Sequence, residues 1–471
     1  MKVAVWKILP VASILTAIAS PACTQTCTGA TCADRYSLAD LRAVTGGPGS
    51  YVPADATGHI AGQSDQGRLR ALAPAGTDGL LVGIPDASKL ILYGAALYLG
   101  TSDGEIDGEP GDGFGAAVSS QTQLVVGAPT VGNGPTLPSV GRVYVFPYDR
   151  PTLGSGTGDA AQTVTGTVAA DALGETVAAC GDVDGDGLPD VLAAAPGAGS
   201  LAGRVVLLPG GSTATSAADL RGWDGDVAGD LLGHALACAD FDGDGLDDAV
   251  IGAPYADSRS GVGTGAARKA AGAGSVRIEG KDGEILRIDG SQDDAYLGAG
   301  VAVGDLDGDG LPDLLVGASG RVTVNAASDD LTGSVHLFSG ASLRDQRATG
   351  LTGDRIKDTA TFTGDNTRGR FGDTVAVGDV DGDGILDVII GAPGSNTGST
   401  GNVGAQTGAI YVYKGPFGGL QGGLHDDRVV GDAILTIEGA RVYQRVGESL
   451  ALADLDGSGA SEVLFTTREQ P

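Results

Sequence analysis

One nine-residue pattern places carboxylates at positions 1, 3, 5 and 9 and glycines at 4 and 6. It is written first as Asp182-Val183-Asp184-Gly185-Asp186-Gly187-Leu188-Pro189-Asp190. A second copy carries Asp240, Asp242, Asp244 and Asp248, a third Asp305, Asp307, Asp309 and Asp313, and a fourth Asp379, Asp381, Asp383 and Asp387. A fifth runs from Asp454 through Asp456, with Ser458 and Glu462 replacing two aspartates, and is a weaker ligand set. Bare, such loops would repel themselves. Hard oxygen donors at this density suit Ca²⁺, which takes about six to eight oxygens in flexible geometry. The position-7 carbonyls of Leu188, Leu246, Leu311 and Ile385 can add one more. An EF-hand would require Glu at position 12 and flanking helices. Position 12 is instead Ala193, Ile251, Val316 or Ile390, inside short apolar runs. The pattern is a calcium loop joining two β-strands, with four sites expected and a fifth of weaker ligands.

The elements that carry these loops repeat. Each unit opens on an apolar residue and glycine: Phe114-Gly115, Leu173-Gly174, Leu232-Gly233, Leu297-Gly298, Phe371-Gly372, Val446-Gly447. Alternating residues such as Val301-Ala302-Val303 predict a strand, followed by the loop. A second strand then ends in Gly127-Ala128-Pro129, Gly252-Ala253-Pro254, Gly391-Ala392-Pro393 or a variant. A third begins at a glycine, as in Gly408 to Tyr413, and a short fourth ends in one, as in Leu435 to Gly439. Four antiparallel strands per unit, repeated radially, make a propeller blade. A degenerate unit around Leu80 to Tyr93 precedes the six, giving an all-β, seven-bladed β-propeller. The last unit is short of two strands, so N-terminal strands are expected to complete it and close the ring: a third from Tyr36 to Val52, a fourth at His59 to Gly62.

Composition sets the class. The chain has 471 residues, 82 glycines and 42% hydrophobic residues, which suits many tight turns around a substantial core. A formal net charge of -30 disfavours nucleic acid and anionic membranes as partners. Residues 1–22 read as an export signal, with Lys2 and Lys7 before an apolar run and Ser20-Pro21-Ala22 as the cleavage site. Residues 23–34 read as a cysteine-containing tether and 35–471 as the propeller. Cys23, first after the cut, resembles the acylated cysteine of bacterial lipoproteins. The protein is therefore expected to be exported, either secreted or held at the cell surface or outer membrane by a lipid. Cys27 and Cys32 are spaced to bridge; Cys180 and Cys238, each two residues before a loop, fit either a bridge or two buried thiols.

The units are similar to FG-GAP repeats, which build the seven-bladed propeller of integrin α chains. Phe371-Gly372, Gly391-Ala392-Pro393 and the Asp-x-Asp-x-Asp-Gly-x-x-Asp loops carry the resemblance. It implies Ca²⁺ in the loops and a role in protein recognition or adhesion, without an integrin-style heterodimer. Strand alternation puts the calcium loops on one face and the long insertions at 255–272, 321–332 and 394–407 on the other, where an unidentified protein or glycan partner is expected to bind. Arg259, Arg268 and Lys269 in the first insertion could meet an acidic ligand. His59, His234, His336 and His425 have no metal spacing, and His234 reads as a packed strand residue. No nucleophile elbow or phosphate loop is present, so no chemistry is expected. The alternatives are a glycan-binding propeller, weakly supported by Trp223, Tyr255 and Tyr296, and a secreted enzyme with a site over the central channel.

Overall fold

The computed structural model describes residues 71–75, 79–93, 104–121, 123–132, 139–147, 156–258, 271–320, 331–348, 357–396, 406–417, 426–439, 442–455 and 458–468, and the backbone of four strands at 2–6, 24–28, 31–37 and 59–61. The protein is an all-β propeller of four-stranded antiparallel blades. Six blades each have four antiparallel strands, consecutive in the first five; in the sixth, Asp426–Val429 precedes the fourth strand and pairs in parallel on the outer edge of blade five. Blade one is Ala71–Pro74, Leu80–Ile84, Lys89–Tyr93 and Gly104–Asp107. Blade two is Ala117–Ser120, Leu124–Ala128, Arg142–Phe146 and Gln162–Thr165. Blade three is Thr176–Ala179, Val191–Ala195, Arg204–Leu208 and Gly222–Asp224. Blade four is Leu236–Ala239, Asp248–Ala253, Ser275–Gly280 and Gly283–Asp289. Blade five is Leu297–Gly304, Asp313–Ala318, Ser334–Phe338 and Ala360–Thr363. Blade six is Thr374–Gly378, Asp387–Ala392, Ala409–Tyr413 and Leu435–Glu438.

The count corrects the expectation of seven. The remaining hairpin, Leu450–Ala453 with Glu462–Thr467, lies between blades six and one, where Val463 and Phe465 pack with Ile389 and Ile410, and Leu464 with Val82 and Ile84. Its open edge pairs with Lys2–Trp6, which in turn pairs with His59–Ala61. The fourth strand thus falls where the sequence placed it, while the third does not come from Tyr36 to Val52. Lys2–Trp6, Lys-Val-Ala-Val-Trp, is a short apolar run after its first residue and takes that edge. Thr31–Ser37 instead pairs in parallel with Leu435–Glu438 on the outside of blade six and forms a hairpin with Thr24–Thr28, setting Cys27 opposite Cys32.

Second strands are wholly buried, as Asp313–Ala318 and Asp387–Ala392 are, whereas first strands such as Thr374–Gly378 are half-buried along the axis. Each hydrophobic cluster lies between neighbouring sheets; Val205 and Leu207 of blade three, for example, meet Ala249 and Ile251 of blade four. At ~25 cal/mol per Å² of apolar surface, this packing is the main term holding the ring.

Glycines set how closely blades approach. Gly372 opens blade six at φ 86°, donates to its own blade's Gly391 carbonyl at 3.0 Å, and turns its carbonyl onto Gly317 of blade five. A Cβ on Gly317 would lie 1.9 Å from that oxygen, and one on Gly127 of blade two would lie 1.9 Å from the Gly174 carbonyl of blade three. The preceding residue completes the seam: Phe371 donates to Thr332, and Leu173 to Val140. Blades three and four are also joined covalently, Cys180 to Cys238, with Cα atoms 5.6 Å apart. Gly317→Ala is expected to cost about 3 kcal/mol or more by overpacking against fixed backbone. Gly431→Ala, which meets nothing within 4 Å, should change stability by less than about 0.5 kcal/mol. Thermal unfolding of the pair checks this, and equal stabilities would remove the seam's claimed role.

Candidate metal centres

The glycines at positions 4 and 6 adopt left-handed backbone, as Gly185 (φ 86°) and Gly187 (φ 85°) do, which lets the loop wind around its first aspartate. Asp182 accepts from the amides of Gly185 at 2.6 Å and Gly187 at 2.8 Å. Asp240, Asp305 and Asp379 do the same in their loops.

Positions 1, 3 and 9 converge. Asp182, Asp184 and Asp190 each bring a carboxylate oxygen within 4.8 Å of the others, as do Asp240, Asp242 and Asp248; Asp305, Asp307 and Asp313; and Asp379, Asp381 and Asp387. Position 5 stands apart from these triads: Asp186, Asp244, Asp309 and Asp383 each accept from the amide at position 7, that of Leu188, Leu246, Leu311 or Ile385. In the fifth loop Asp454 accepts from Ser458 and Gly459, and Glu462, one methylene longer, still reaches the Leu455 amide at 2.7 Å. Asp456 lies outside the described residues.

The position-9 residue has a second duty that the loop pattern does not advertise. Asp313 accepts from Leu306 at 2.8 Å and Asp307 at 3.2 Å with one oxygen, and from Gly340, past the third strand, at 2.8 Å with the other. Asp190 repeats this with Val183, Asp184 and Gly210, and Asp387 with Val380 and Gly415. These carboxylates tie the loop to the strand beyond it. They are fully buried, and burial raises their pKa: Asp248 and Asp313 to about 7, Asp387 to about 6, Asp190 also upward.

A divalent cation fits the donor set. Each cluster holds three carboxylates in one small volume, and Asp381 Oδ1 is buried with no hydrogen-bond partner. When bound, Ca²⁺ would supply the charge that lets all three stay ionised. One loop already holds a cation of the chain's own, which the sequence reading missed. Lys414 Nζ contacts Asp381 Oδ2 and lies 2.7 Å from Asp383 Oδ2. Partial burial opposes its charge, but the bonds to Asp381 and Asp383 prevail and raise its pKa. The visible signal was a lysine directly before Gly415, where Gly210 and Gly340 follow Pro209 and Ser339.

The other singled-out residues scatter. His234 is not packed: it is exposed in an axial cavity of about 940 Å³ also lined by Glu175, Asp373, Glu448 and Arg468. Glu175, His234, Asp373 and Glu448 each follow an opening glycine, so that register position faces the axis. Desolvation holds the His234 imidazole below its ordinary range. His336 lies 2.7 Å from Asp358 and 3.0 Å from Ser334, but Ser334 is buried, closed to an incoming acyl group. Trp223 is buried under the Arg221 guanidinium, which withdraws it from sugar stacking, whereas Tyr255 is exposed and pairs with Tyr296, ring centroids 4.9 Å apart. His59 is described only as backbone, and His425, Arg259, Arg268 and Lys269 lie outside the described residues.

Two outcomes follow from position 9. Asp313→Ala should cost about 3 kcal/mol with or without Ca²⁺, because it strands buried amides; Asp309→Ala should cost under about 1 kcal/mol, seen only in Ca²⁺. Denaturant titrations in Ca²⁺ and in chelator distinguish the two, and matching losses would contradict the division of labour. The pH dependence has a definite sign. A carboxyl whose folded pKa lies near 6 to 7 and whose unfolded value is about 4 binds its proton preferentially when folded. Stability of the metal-stripped protein should therefore be lost as pH rises through about 6 to 7. Melting in chelator should be lower at pH 8 than at pH 5.5, with the gap shrinking in Asp248→Asn/Asp313→Asn.

The FG-GAP repeat model matches residues 173–208, 232–277, 297–338 and 371–413, each segment spanning one acidic loop and its flanking strands. Integrin alpha-5 of Xenopus laevis is 30% identical over 201 residues, 40% of this chain and 16% of that protein. Integrin alpha-V of Gallus gallus is 33% identical over 192 residues, 40% of this chain and 16% of that protein. The phosphatidylinositol-glycan-specific phospholipase D of Dictyostelium discoideum is 28% identical over 176 residues, 36% of this chain and 18% of that protein. The chain thus spans less than a fifth of each of these relatives. Blades three to six thus carry four FG-GAP repeats of an integrin α-like propeller.

Proposed function

We propose that this propeller is an exported interaction or adhesion module whose bound Ca²⁺ is structural. The observation that carries the reading is the four three-carboxylate clusters in equivalent loops, three of them hydrogen-bonded through position 9 to the chain beyond the third strand of their own blade. Cation binding there would stabilise the native state by mass action. The same loops leave the opposite face free for recognition, and integrin α relatives lend the adhesive reading its support. The partner is an unidentified protein or glycan contacted by the insertions at 255–272, 321–332 and 394–407. The Cys180–Cys238 bridge favours an oxidising compartment, hence export. Among the described residues no helix is long and apolar enough to cross a membrane, and attachment through lipid on Cys23 is the proposed alternative to free secretion. Cleavage before Cys23 would remove the Lys2–Trp6 strand, so the mature mass reports directly on this part of the proposal.

The axial cavity favours a second reading, a ligand or substrate site over the channel, because ionisable residues of several blades converge on it. One experiment separates the two. The exported protein is compared with variants shortened at 259–270 or carrying His234→Ala, for binding to arrayed extracellular proteins and glycans, in Ca²⁺ and in chelator. The adhesive reading expects Ca²⁺-dependent binding lost on loop shortening with melting unchanged. Binding that survives shortening but fails in His234→Ala transfers the function to the channel.

A further inference from the structure

Blade six differs from the blades bearing the first three loops in what stands beside its acidic cluster. The residue before the glycine that follows the third strand is Pro209 in blade three, Ser339 in blade five and Lys414 in blade six, while in blade four the strand itself runs on through Gly280. This register position abuts the loop, since Gly210, Gly340 and Gly415 donate to the position-9 aspartates of their own blades. In blade five the Ser339 side chain lies near position 3, where it favours the ionised form of Asp307 against the burial that raises its pKa. In blade six the lysine stem delivers an ammonium to positions 3 and 5 together, on Asp381 and Asp383. The Asp381 side chain is only 9% exposed, so this ion pair is partly withdrawn from water.

The other loops have no equivalent among the described residues. In the second loop Arg347 approaches Asp242 at 3.4 Å, from the exposed side and to that carboxylate alone. No ion pair joins Lys or Arg to the aspartates of the first or third loop within the described residues. A bound divalent ion and the Lys414 ammonium would compete for Asp381, and two like charges within a few ångströms oppose one another strongly in a partly buried setting.

We propose that Lys414 is the built-in cation of the fourth loop, so that this loop binds Ca²⁺ more weakly than the three before it. The inference rests on the calcium reading of the loops and adds an order of filling. The first three sites load at low Ca²⁺; the fourth stays closed by its own lysine until Ca²⁺ is high enough to displace it. Lys414 is half in solvent, so its stem can swing out without unfolding the blade.

Equilibrium dialysis of the full chain with radioactive Ca²⁺ tests this by counting tight sites in wild type, Lys414→Met, Asp381→Ala and the double variant. Lys414→Met should add one tight site, with affinity raised about tenfold or more, and Asp381→Ala on top should remove it. Asp381→Ala alone should remove no tight site. Lys414→Gln, which keeps a polar stem without charge, should behave as Lys414→Met does, and each variant's melting in chelator confirms that it is folded. A tight site lost in Asp381→Ala alone, or an unchanged count in both lysine variants, overturns the role of Lys414. No Ca²⁺ bound by any variant overturns the calcium reading itself.

Discussion

The contact on which the propeller depends is backbone against backbone, where the opening glycine of one blade rests on the penultimate glycine of the blade before it. The Gly372 carbonyl fills the space a side chain on Gly317 would need, and Gly174 does so at Gly127. Because neither partner has a Cβ, adjacent second strands come close enough for thin layers of Val, Leu and Ala to fill the gap. Aromatic rings join these layers at two seams, Phe114 with Tyr144 between blades one and two and Phe362 with Tyr413 between blades five and six. Blade three shows the tolerance of the device: Ala194 replaces the second glycine, and Gly233 of blade four, lacking a side chain, still admits it.

That close approach explains why the acidic loops can be so highly charged. A loop of four carboxylates held only at its ends would unwind. Here the ninth residue bonds forward to the strand beyond and backward to the loop's own amides, so the frame is set by neutral donors around a buried carboxylate. The cost is a displaced pKa at Asp248, Asp313 and Asp387. A bound cation would remove that cost while leaving the frame's amide donors in place. Stability and cation binding would therefore share position 9, while position 5, which accepts from the position-7 amide, would matter chiefly once an ion is bound.

Most of this was legible in the sequence because repetition lets each blade confirm the others. The strand order, the loop spacing and the paired glycines recur in register, and Glu462 could be aligned with Asp190 despite its extra length. What escaped was whatever differs between copies. Pattern reading averages over repeats, so Lys414, present once, did not register, and neither did the varied residues after each opening glycine that face the axis. His234 belongs to that set: one place past a glycine on a strand, it was read as packed, whereas the innermost strand of a propeller borders the channel. The blade count failed for a related reason. The last hairpin's partners come from far away in sequence, and several N-terminal segments have the alternation to pair there; Lys2–Trp6 takes the third place while Thr31–Ser37 goes to blade six.

The unequal blades also bear on how such a ring divides its labour. With a net charge of -30, every acidic loop raises the cost of the folded state unless it carries its own neutralisation. Two solutions are open to neighbouring blades: a carboxylate cluster around Asp307 that an external ion would have to fill, with Ser339 alongside, and a covalently attached ammonium at Asp381. The first makes a blade's stability depend on the medium. The second makes it independent, at the expense of affinity for the ion. Blade six borders the composite sheet, whose partners are recruited from the other end of the chain and whose register is therefore the least locally determined. A blade at that junction whose loop carries its own ammonium offers the composite sheet a packing surface that does not depend on Ca²⁺. Blades three and four are instead tied to each other covalently, by Cys180–Cys238.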